Sequence, residues 1–230
     1  MRVVSFSDFH LFATRSRGNQ IINQVKELVK GADTLVICGD LFDFRWSNFS
    51  SHQEAFQAAN QWITSLCAEV QIPVVYILGN HDGLTEFIPT LDTLAHSIDS
   101  FSWHEDYLQI GNTLFLHGDI PIYSEGAKLT PRDFVSDEGI KHSFLSFLYG
   151  LITQAYLLKL WRKKSNGNHK IPFIAEAISK TEGLDGVKRV VFGHTHNHLK
   201  GFEYGGITYF NGGTAIKTFA IEIGDFEIKT

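Results

Sequence analysis

The sequence predicts an α/β protein in which two mixed sheets pack face to face, with helices on their outer sides. Three observations predict it. The first half of the chain alternates apolar strands with amphipathic helices, the rhythm of parallel strands joined by right-handed crossovers. The later part carries two-residue, Gly-containing turns between apolar runs, which mark antiparallel hairpins. Five short segments rich in Asp, Asn and His each follow an apolar run, and strand ends of that kind are where an open α/β sheet places its site.

The elements follow in chain order. Arg2–Ser7 reads as a strand, followed by a loop through Arg15-Ser16-Arg17-Gly18. Asn19–Lys30 has helical periodicity, with Ile21, Ile22, Val25, Leu28 and Val29 on one side. Thr34–Cys38 is a continuous apolar strand, His52–Val70 a helix and Pro73–Leu78 the next strand. Tyr107–Ile110 and Thr113–Leu116 flank the hairpin turn Gly111-Asn112. Between Ser136 and Lys164, Phe144, Phe147, Leu148, Leu151, Ala155 and Leu158 recur at helical spacing, and the run ends in Lys159, Arg162, Lys163 and Lys164. A second helix at about Pro172–Lys180 leads to the strand Lys188–Phe192. Two further hairpins are expected: Leu199–Tyr204 with Ile207–Phe210 about Gly205-Gly206, and Lys217–Ile223 with Phe226–Lys229 about Gly224-Asp225. Parallel strands followed by hairpins suggest two sheets stacked on one another.

Composition narrows the function classes. The chain has 230 residues, 43% hydrophobic and 20% charged, as in a globular protein of one large domain. A net charge of -5 speaks against non-specific binding to nucleic acid. No apolar run of about 18 residues is present to span a bilayer. The strand-like opening Met1–Phe6 is not a signal peptide, so the expected compartment is the cytoplasm. Cys38 and Cys67 both sit in apolar segments and read as reduced buried thiols.

The chemistry lies in the five segments Asp8-Phe9-His10, Gly39-Asp40-Leu41-Phe42-Asp43, Gly79-Asn80-His81-Asp82, His117-Gly118-Asp119 and Gly193-His194-Thr195-His196. Asp8 and His10 stand two apart at a strand end, where extended geometry aims both side chains to one face; His194 and His196 repeat the pattern. Asp40 follows an apolar strand, where an unpaired carboxylate is unfavourable and a place between two cations neutralises it; the alternative is a turn or N-cap aspartate. Asn80 offers a neutral oxygen, His81 is placed to reach a substrate, and Asp82 is expected to orient the His81 ring through a hydrogen bond. His117 ends the strand Thr113–Leu116. Oxygen and imidazole donors together suit manganese, iron or zinc. Two such ions side by side are suited to hydrolysis of phosphate esters.

In this order, DxH, GDLFD, GNHD, HG and GHTH resemble the calcineurin-like metallophosphoesterase superfamily over essentially the whole chain. The resemblance implies a four-layer αββα sandwich: a single domain over 1–230 with a helical insert or cap at about 136–182. It implies a dinuclear centre in which Asp8, His10 and His196 bind one ion, Asn80, His117 and His194 bind the other, and Asp40 bridges them. His81 is then the histidine that protonates the leaving oxygen or steadies the phosphoryl group, with Asp43 and Asp82 in support. The implied reaction is attack on a phosphate ester or pyrophosphate by a hydroxide held between cations roughly 3.5–4 Å apart. Manganese is the first expectation for the metal.

GDLFD-F and the long helical segment before GHTH also resemble the UDP-2,3-diacylglucosamine pyrophosphohydrolase branch, whose insert caps acyl chains; enzymes of that branch carry arginine where this chain has His81. On that resemblance the 140–164 helix would contact a lipid-linked substrate or a membrane surface. Arg15, Arg17 and Arg45, in loops beside the first two motifs, are candidate phosphate clamps. GDLFD and GNHD recur in repair nucleases of the superfamily, and a retromer subunit uses the fold as a scaffold without catalysis. Length and charge oppose the nuclease reading, and the complete ligand set opposes the scaffold.

Overall fold

The computed structural model describes residues 1–119, 168–216 and 220–228. The described elements are β1 (Arg2–Phe6), α1 (Gly18–Leu28), β2 (Thr34–Cys38), α2 (His52–Val70), β3 (Val74–Ile77), α3 (Ile88–Ser97), β4 (Phe101–His104), β5 (Tyr107–Ile110), β6 (Thr113–Leu116), α4 (Ile171–Lys180), β7 (Arg189–Phe192), β8 (His198–Tyr204), β9 (Ile207–Gly212) and β10 (Gly224–Glu227). They build two five-stranded sheets, ordered β10-β1-β2-β3-β4 and β5-β6-β7-β9-β8. In the first, β1 to β4 are parallel and β10 closes the β1 edge antiparallel. In the second, β6, β7 and β9 are parallel, with β5 and β8 as antiparallel edges.

Strand alternation sorts the apolar side chains into three layers of core among the described residues. Val4, Phe6, Leu35, Ile37 and Tyr76 face outward from the first sheet onto α1, α2 and α3. Val3, Val36, Cys38 and Ile77 face the other way, onto Phe115 and Val191 of the second sheet. Leu114, Leu116, Val190, Phe192 and Tyr209 leave the second sheet on its far side, where Ile171, Ile174, Ala177 and Ile178 of α4 cover them. Three apolar interfaces separate four layers, αββα. Strands buried on both faces read as continuous apolar runs, and β2 is buried at every position.

The outer core also anchors the GDLFD motif. Leu41, Phe42 and Phe44 are fully buried. The Phe42 ring contacts Phe12, Phe44, Trp62, Tyr76 and Phe87, so α2 and the 3-10 turn Thr85–Phe87 hold the motif from behind. Asp40 and Asp43 of the same stretch are left to face the site. α2 starts cleanly because the Ser51 side chain accepts from the Glu54 N–H at 3.2 Å.

Two sequence expectations need correction. Gly224-Asp225 is not a hairpin turn but the start of β10, which leaves the second sheet and joins the first. The strand fits that edge because Phe226 packs into the layer between the sheets while Asp225 turns outward to meet the Arg2 guanidinium at 3.0 and 2.9 Å. The sequence reading places no element between Leu78 and Tyr107, yet α3 and β4 form there; Pro89 occupies the first turn of α3, where proline is tolerated. The helix expected over Ser136–Lys164, the cap and membrane contact read into it, and Lys217–Phe219 and Lys229 of the last hairpin lie outside the described residues. No helix among the described residues is long and apolar enough to cross a membrane.

Candidate metal centre

Parallel strands bring their C-terminal ends to one side, and the five polar segments meet there. Asp8, Asp40 and Asn80 lie just beyond β1, β2 and β3; His117 lies just beyond β6, and His194 and His196 beyond β7. The two halves of each x-in-between pair do converge, but not by strand geometry. Asp8, His10, Asp40, His194 and His196 all have left-handed backbone, with φ of 55°, 48°, 52°, 64° and 56°. Each such residue costs of order 1–3 kcal/mol and persists only where its surroundings impose it. Here they do: Asp8, His10 and Leu11 N–H groups donate to the carbonyls of Gly39, Asp40 and Leu41 at 3.1, 2.9 and 2.8 Å, locking the first loop onto the second. The glycines preceding two of the motif residues are there for space. A Cβ at Gly79 would run into the Asp40 carboxylate, and one at Gly193 into the carboxylate of Asp8 and the side chain of Ser7.

The side chains form two groups that share Asp40. In one, His10 Nε2 and His196 Nε2 stand 3.0 Å apart, with Asp8 Oδ1 at 3.2 Å from the second ring and 3.9 Å from the first. Asp40 Oδ2 is 3.8 Å from the same His10 nitrogen. In the other, His117 Nε2 lies 3.2 Å from Asp40 Oδ2 and 3.2 Å from Asn80 Oδ1, while His194 Nδ1 lies 2.9 Å from that Asn80 oxygen. All seven predicted ligand residues are thus brought together. Asp8, His10, Asp40 and His117 are buried, whereas His196 is 26% exposed at the rim.

His81 and Asp82 part company. His81 Nδ1 faces Asp43 Oδ1 at 3.0 Å, and its backbone N–H donates to Asp40 Oδ1 at 2.8 Å. Asp82, expected to orient that ring, turns away from it. Its carboxylate accepts from the N–H groups of Gly79 at 2.6 Å, Leu41 at 2.7 Å and Phe42 at 3.3 Å, and from the Tyr76 hydroxyl at 2.5 Å. Asp82 therefore braces the second and third loops against each other, and Asp43 is the partner of His81. The far oxygen of Asp43 takes the Arg15 guanidinium at 2.9 Å and lies 3.6 Å from His10 Nδ1, beyond a good hydrogen bond. Arg15 is 6% exposed, so the loop cation of the sequence reading is a buried partner of Asp43.

The electrostatics fit a site built for positive charge. Burial alone would raise the carboxyls of Asp40 and Asp43. The charges of His117 and His81 overcome this for Asp40, and the charge and hydrogen bond of His81 do so for Asp43, holding both well below the usual carboxylate range. Burial likewise opposes charge on His117, but Asp40 outweighs it and pushes the ring up to about 10. A positive charge is thus retained between His117 and Asp40 at neutral pH. Burial also opposes charge on His81, yet Asp43 and Asp40 raise it to about 9. Burial pushes His10 and His194 down to about 4, so both are neutral and able to donate lone pairs. Burial and the Asp40 charge push Asp82 up to about 6, against the Tyr76 hydroxyl and the Gly79 N–H.

The donor set passes a test for divalent metal. His117 Nδ1 faces the Cys38 carbonyl at 3.0 Å and must donate to it, which leaves Nε2 pointing at two oxygen acceptors. Lone pairs crowded in this way repel unless a cation or proton stands among them. Ligands about 2.0–2.2 Å from one ion stand about 3–3.5 Å from each other, close to the separations within each group. Imidazole nitrogens mixed with carboxylate and amide oxygens match the borderline transition metals. Lys170, buried just ahead of α4, helps lower His194 by its charge, while the charge of Asp119 opposes the lowering that burial imposes on Lys170; nothing in the sequence pattern marks it.

A family model described as calcineurin-like phosphoesterase matches residues 1–198. The chain belongs to the calcineurin-like phosphoesterase family. Among solved structures it is similar to a dimetal phosphatase from Danio rerio, at 13% identity and a TM-score of 0.45 over 95% of this chain and 88% of that one. It is also similar to Vps29 from Chaetomium thermophilum, at 13% identity and a TM-score of 0.39 over 96% of this chain and 72% of that one. Comparison with curated proteins gives no match. The Asp, Asn and His residues gathered above all fall within the part of the chain that the calcineurin-like phosphoesterase model spans.

Proposed function

We propose that this calcineurin-like phosphoesterase is a dinuclear metal hydrolase of a phosphate ester or pyrophosphate bond. The observation that carries the reading is the pair of donor groups that share Asp40 and put imidazole and oxygen atoms about one ligand–ligand distance apart. Asp8, His10 and His196 would hold one ion, Asn80, His117 and His194 the other, and Asp40 would serve both. Manganese is the first metal to try, with iron and zinc as alternatives. Divalent cations held there supply Lewis-acid stabilisation of the phosphoryl oxygens and lower the pKa of a water nucleophile.

The remaining chemistry belongs to the chain. With Nδ1 committed to Asp43, His81 has Nε2 left for a substrate, and the ring is 19% exposed at the cleft. Raised to about 9, it is protonated at neutral pH and suited to give that proton to the leaving oxygen as the P–O bond breaks. The neutral ring then regains a proton from solvent. The Arg15 guanidinium occupies the other Asp43 oxygen, so the carboxylate stays ionised and its second oxygen stays aimed at His81. Asp82 and Tyr76 keep the Asn80-His81 turn in register with the Asp40 loop.

The test is a chelated and reloaded enzyme assayed on bis-p-nitrophenyl phosphate, p-nitrophenyl phosphate and sugar-nucleotide diphosphates. The reading expects turnover to vanish with chelation and return with Mn2+. Protein that binds no divalent metal, or hydrolyses none of these substrates when loaded, contradicts it.

A further inference from the structure

The stretch Asn211–Ile216, which begins in the last two residues of β9, reaches both metal loops, although the sequence motifs do not include it. Asn211, next to last in β9, lies opposite Phe192, the last residue of β7, and is 1% exposed. Its amide nitrogen donates to the Gly193 carbonyl at 2.6 Å and to Thr195 Oγ1 at 3.2 Å, so it grips the His194–His196 turn at its start and its middle. Its oxygen accepts from the Gly213 N–H at 2.9 Å, which fixes the amide orientation. The chain then crosses from the second sheet to the first through Gly213, with φ of 81°. Thr214, fully buried, donates its hydroxyl to the Asp8 carbonyl at 2.7 Å, and the Ala215 N–H donates to the same oxygen at 3.0 Å. The Ile216 N–H donates back to the Thr214 hydroxyl at 3.3 Å, and the Arg17 N–H to the Ala215 carbonyl at 2.8 Å. The two gripped loops also meet directly, since the His194 N–H lies 3.1 Å from both Asp8 carboxylate oxygens.

We propose that Asn211 and Thr214 are positioning residues of the metal centre: one sets the His194–His196 turn, the other the Asp8 loop, and the strap between them fixes the distance across the two sheets. The inference rests on the metal reading above. The physical need is clear. Asp8, His194 and His196 all sit in left-handed backbone, which persists only where neighbours impose it. Asn211 and Thr214 supply side-chain hydrogen bonds to those turns from outside the motif loops. Neither side chain is among the ligand atoms, so each acts through Asp8, His194 and His196. Because Asp8 and His196 belong to one donor group and His194 to the other, loosening the strap disturbs both.

The test compares wild type with Thr214→Val, which replaces the hydroxyl by a methyl, Thr214→Ser, which keeps the hydroxyl, and Asn211→Ala. Melting of chelator-treated protein reads the fold; titration calorimetry with Mn2+ reads the site. Thr214→Val is expected to melt without metal within a few degrees of wild type, and Asn211→Ala to fold but melt lower because three buried partners lose a hydrogen bond; both are expected to bind Mn2+ about 10–100-fold more weakly, as outer-shell losses do. Thr214→Ser is expected to return to wild-type affinity. Unchanged Mn2+ affinity in both loss variants overturns the inference while leaving the metal reading intact. So does failure of both to fold without metal, because the strap would then serve the fold alone. A wild-type chain that takes up no Mn2+ overturns the metal reading and this inference with it.

Discussion

Replacing Asp43 by Asn tests how the histidine of the GNHD segment is prepared. The Asp43 carboxylate is fully buried and holds His81 Nδ1 at 3.0 Å, Arg15 at 2.9 Å and the Trp46 N–H at 3.1 Å. An amide has one acceptor and one donor end. If its oxygen serves His81, its NH2 meets the Arg15 guanidinium, donor against donor; flipped, it abandons His81. Taking the carboxylate from a buried guanidinium costs about 3–5 kcal/mol, a large share of the roughly 5–15 kcal/mol that holds a domain folded. At about 2–4 °C per kcal/mol for a chain of this size, the melting temperature should fall by about 6–20 °C. The activity loss has a different origin. A general acid contributes about 10²–10⁴-fold, and a ring without its orienting charge should forfeit most of that in kcat. The assay is kcat with Mn2+ on a chromogenic phosphodiester, together with metal content and melting. The double variant Asp43→Asn/Arg15→Met, which removes the stranded cation, should recover melting temperature but not kcat. Rates for Asp43→Asn within a few-fold of wild type, or recovery of both quantities in the double variant, would refute the reasoning.

Other predictions follow from the same geometry. His81→Ala should keep both metals and melt near wild type while losing most turnover; equal loss of metal and activity would contradict an acid role. Asp82→Ala removes the acceptor for three N–H groups and the Tyr76 hydroxyl. At about 1–3 kcal/mol for each buried group left unmet, it should be far less stable than His81→Ala in chelator-treated melts, and similar melting of the two would show Asp82 not to be a brace. His117 is raised to about 10, so a cation taking its Nε2 must displace a proton. Mn2+ affinity should then rise about tenfold per pH unit from 7 to 9, whereas a flat profile means that no proton leaves. Linkage gives the chelated protein a matching signature. Folded-state values of about 9 for His81 and about 10 for His117 lie above the unfolded imidazole value. Their stabilisation is complete below about pH 6.5 and lost as pH rises through 9 and 10. Urea midpoints that climb over that range would contradict it.

The ligand residues were legible because each follows an apolar run that can only be a buried strand, and parallel strands must end together. The stacking of two sheets was legible in the change from parallel strands to hairpins; the structure shows its mark in Val3 and Val4, which face opposite sides, each onto an apolar layer. The neighbour of His81 was not. Chain adjacency favours Asp82, but the tight turn at Gly79 points that carboxylate back at Leu41 and Phe42, and the true partner comes from the loop after another strand. Arg15 has the sequence context of a surface loop; only the fold shows it closing over Asp43. Asn211 and Thr214 flank two glycines and look like turn chemistry, since nothing local says that the turn joins two sheets. β10 defeated the hairpin rule because a short alternating strand suits either sheet edge, and tertiary pairing with Arg2–Ser5 decides between them.

Anomalous diffraction from crystals loaded with Mn2+ tests the central claim most directly. Two peaks are predicted on either side of the Asp40 carboxylate, one against Asp8, His10 and His196 and the other against Asn80, His117 and His194. A single peak, or peaks that leave Asp40 untouched, would contradict the account.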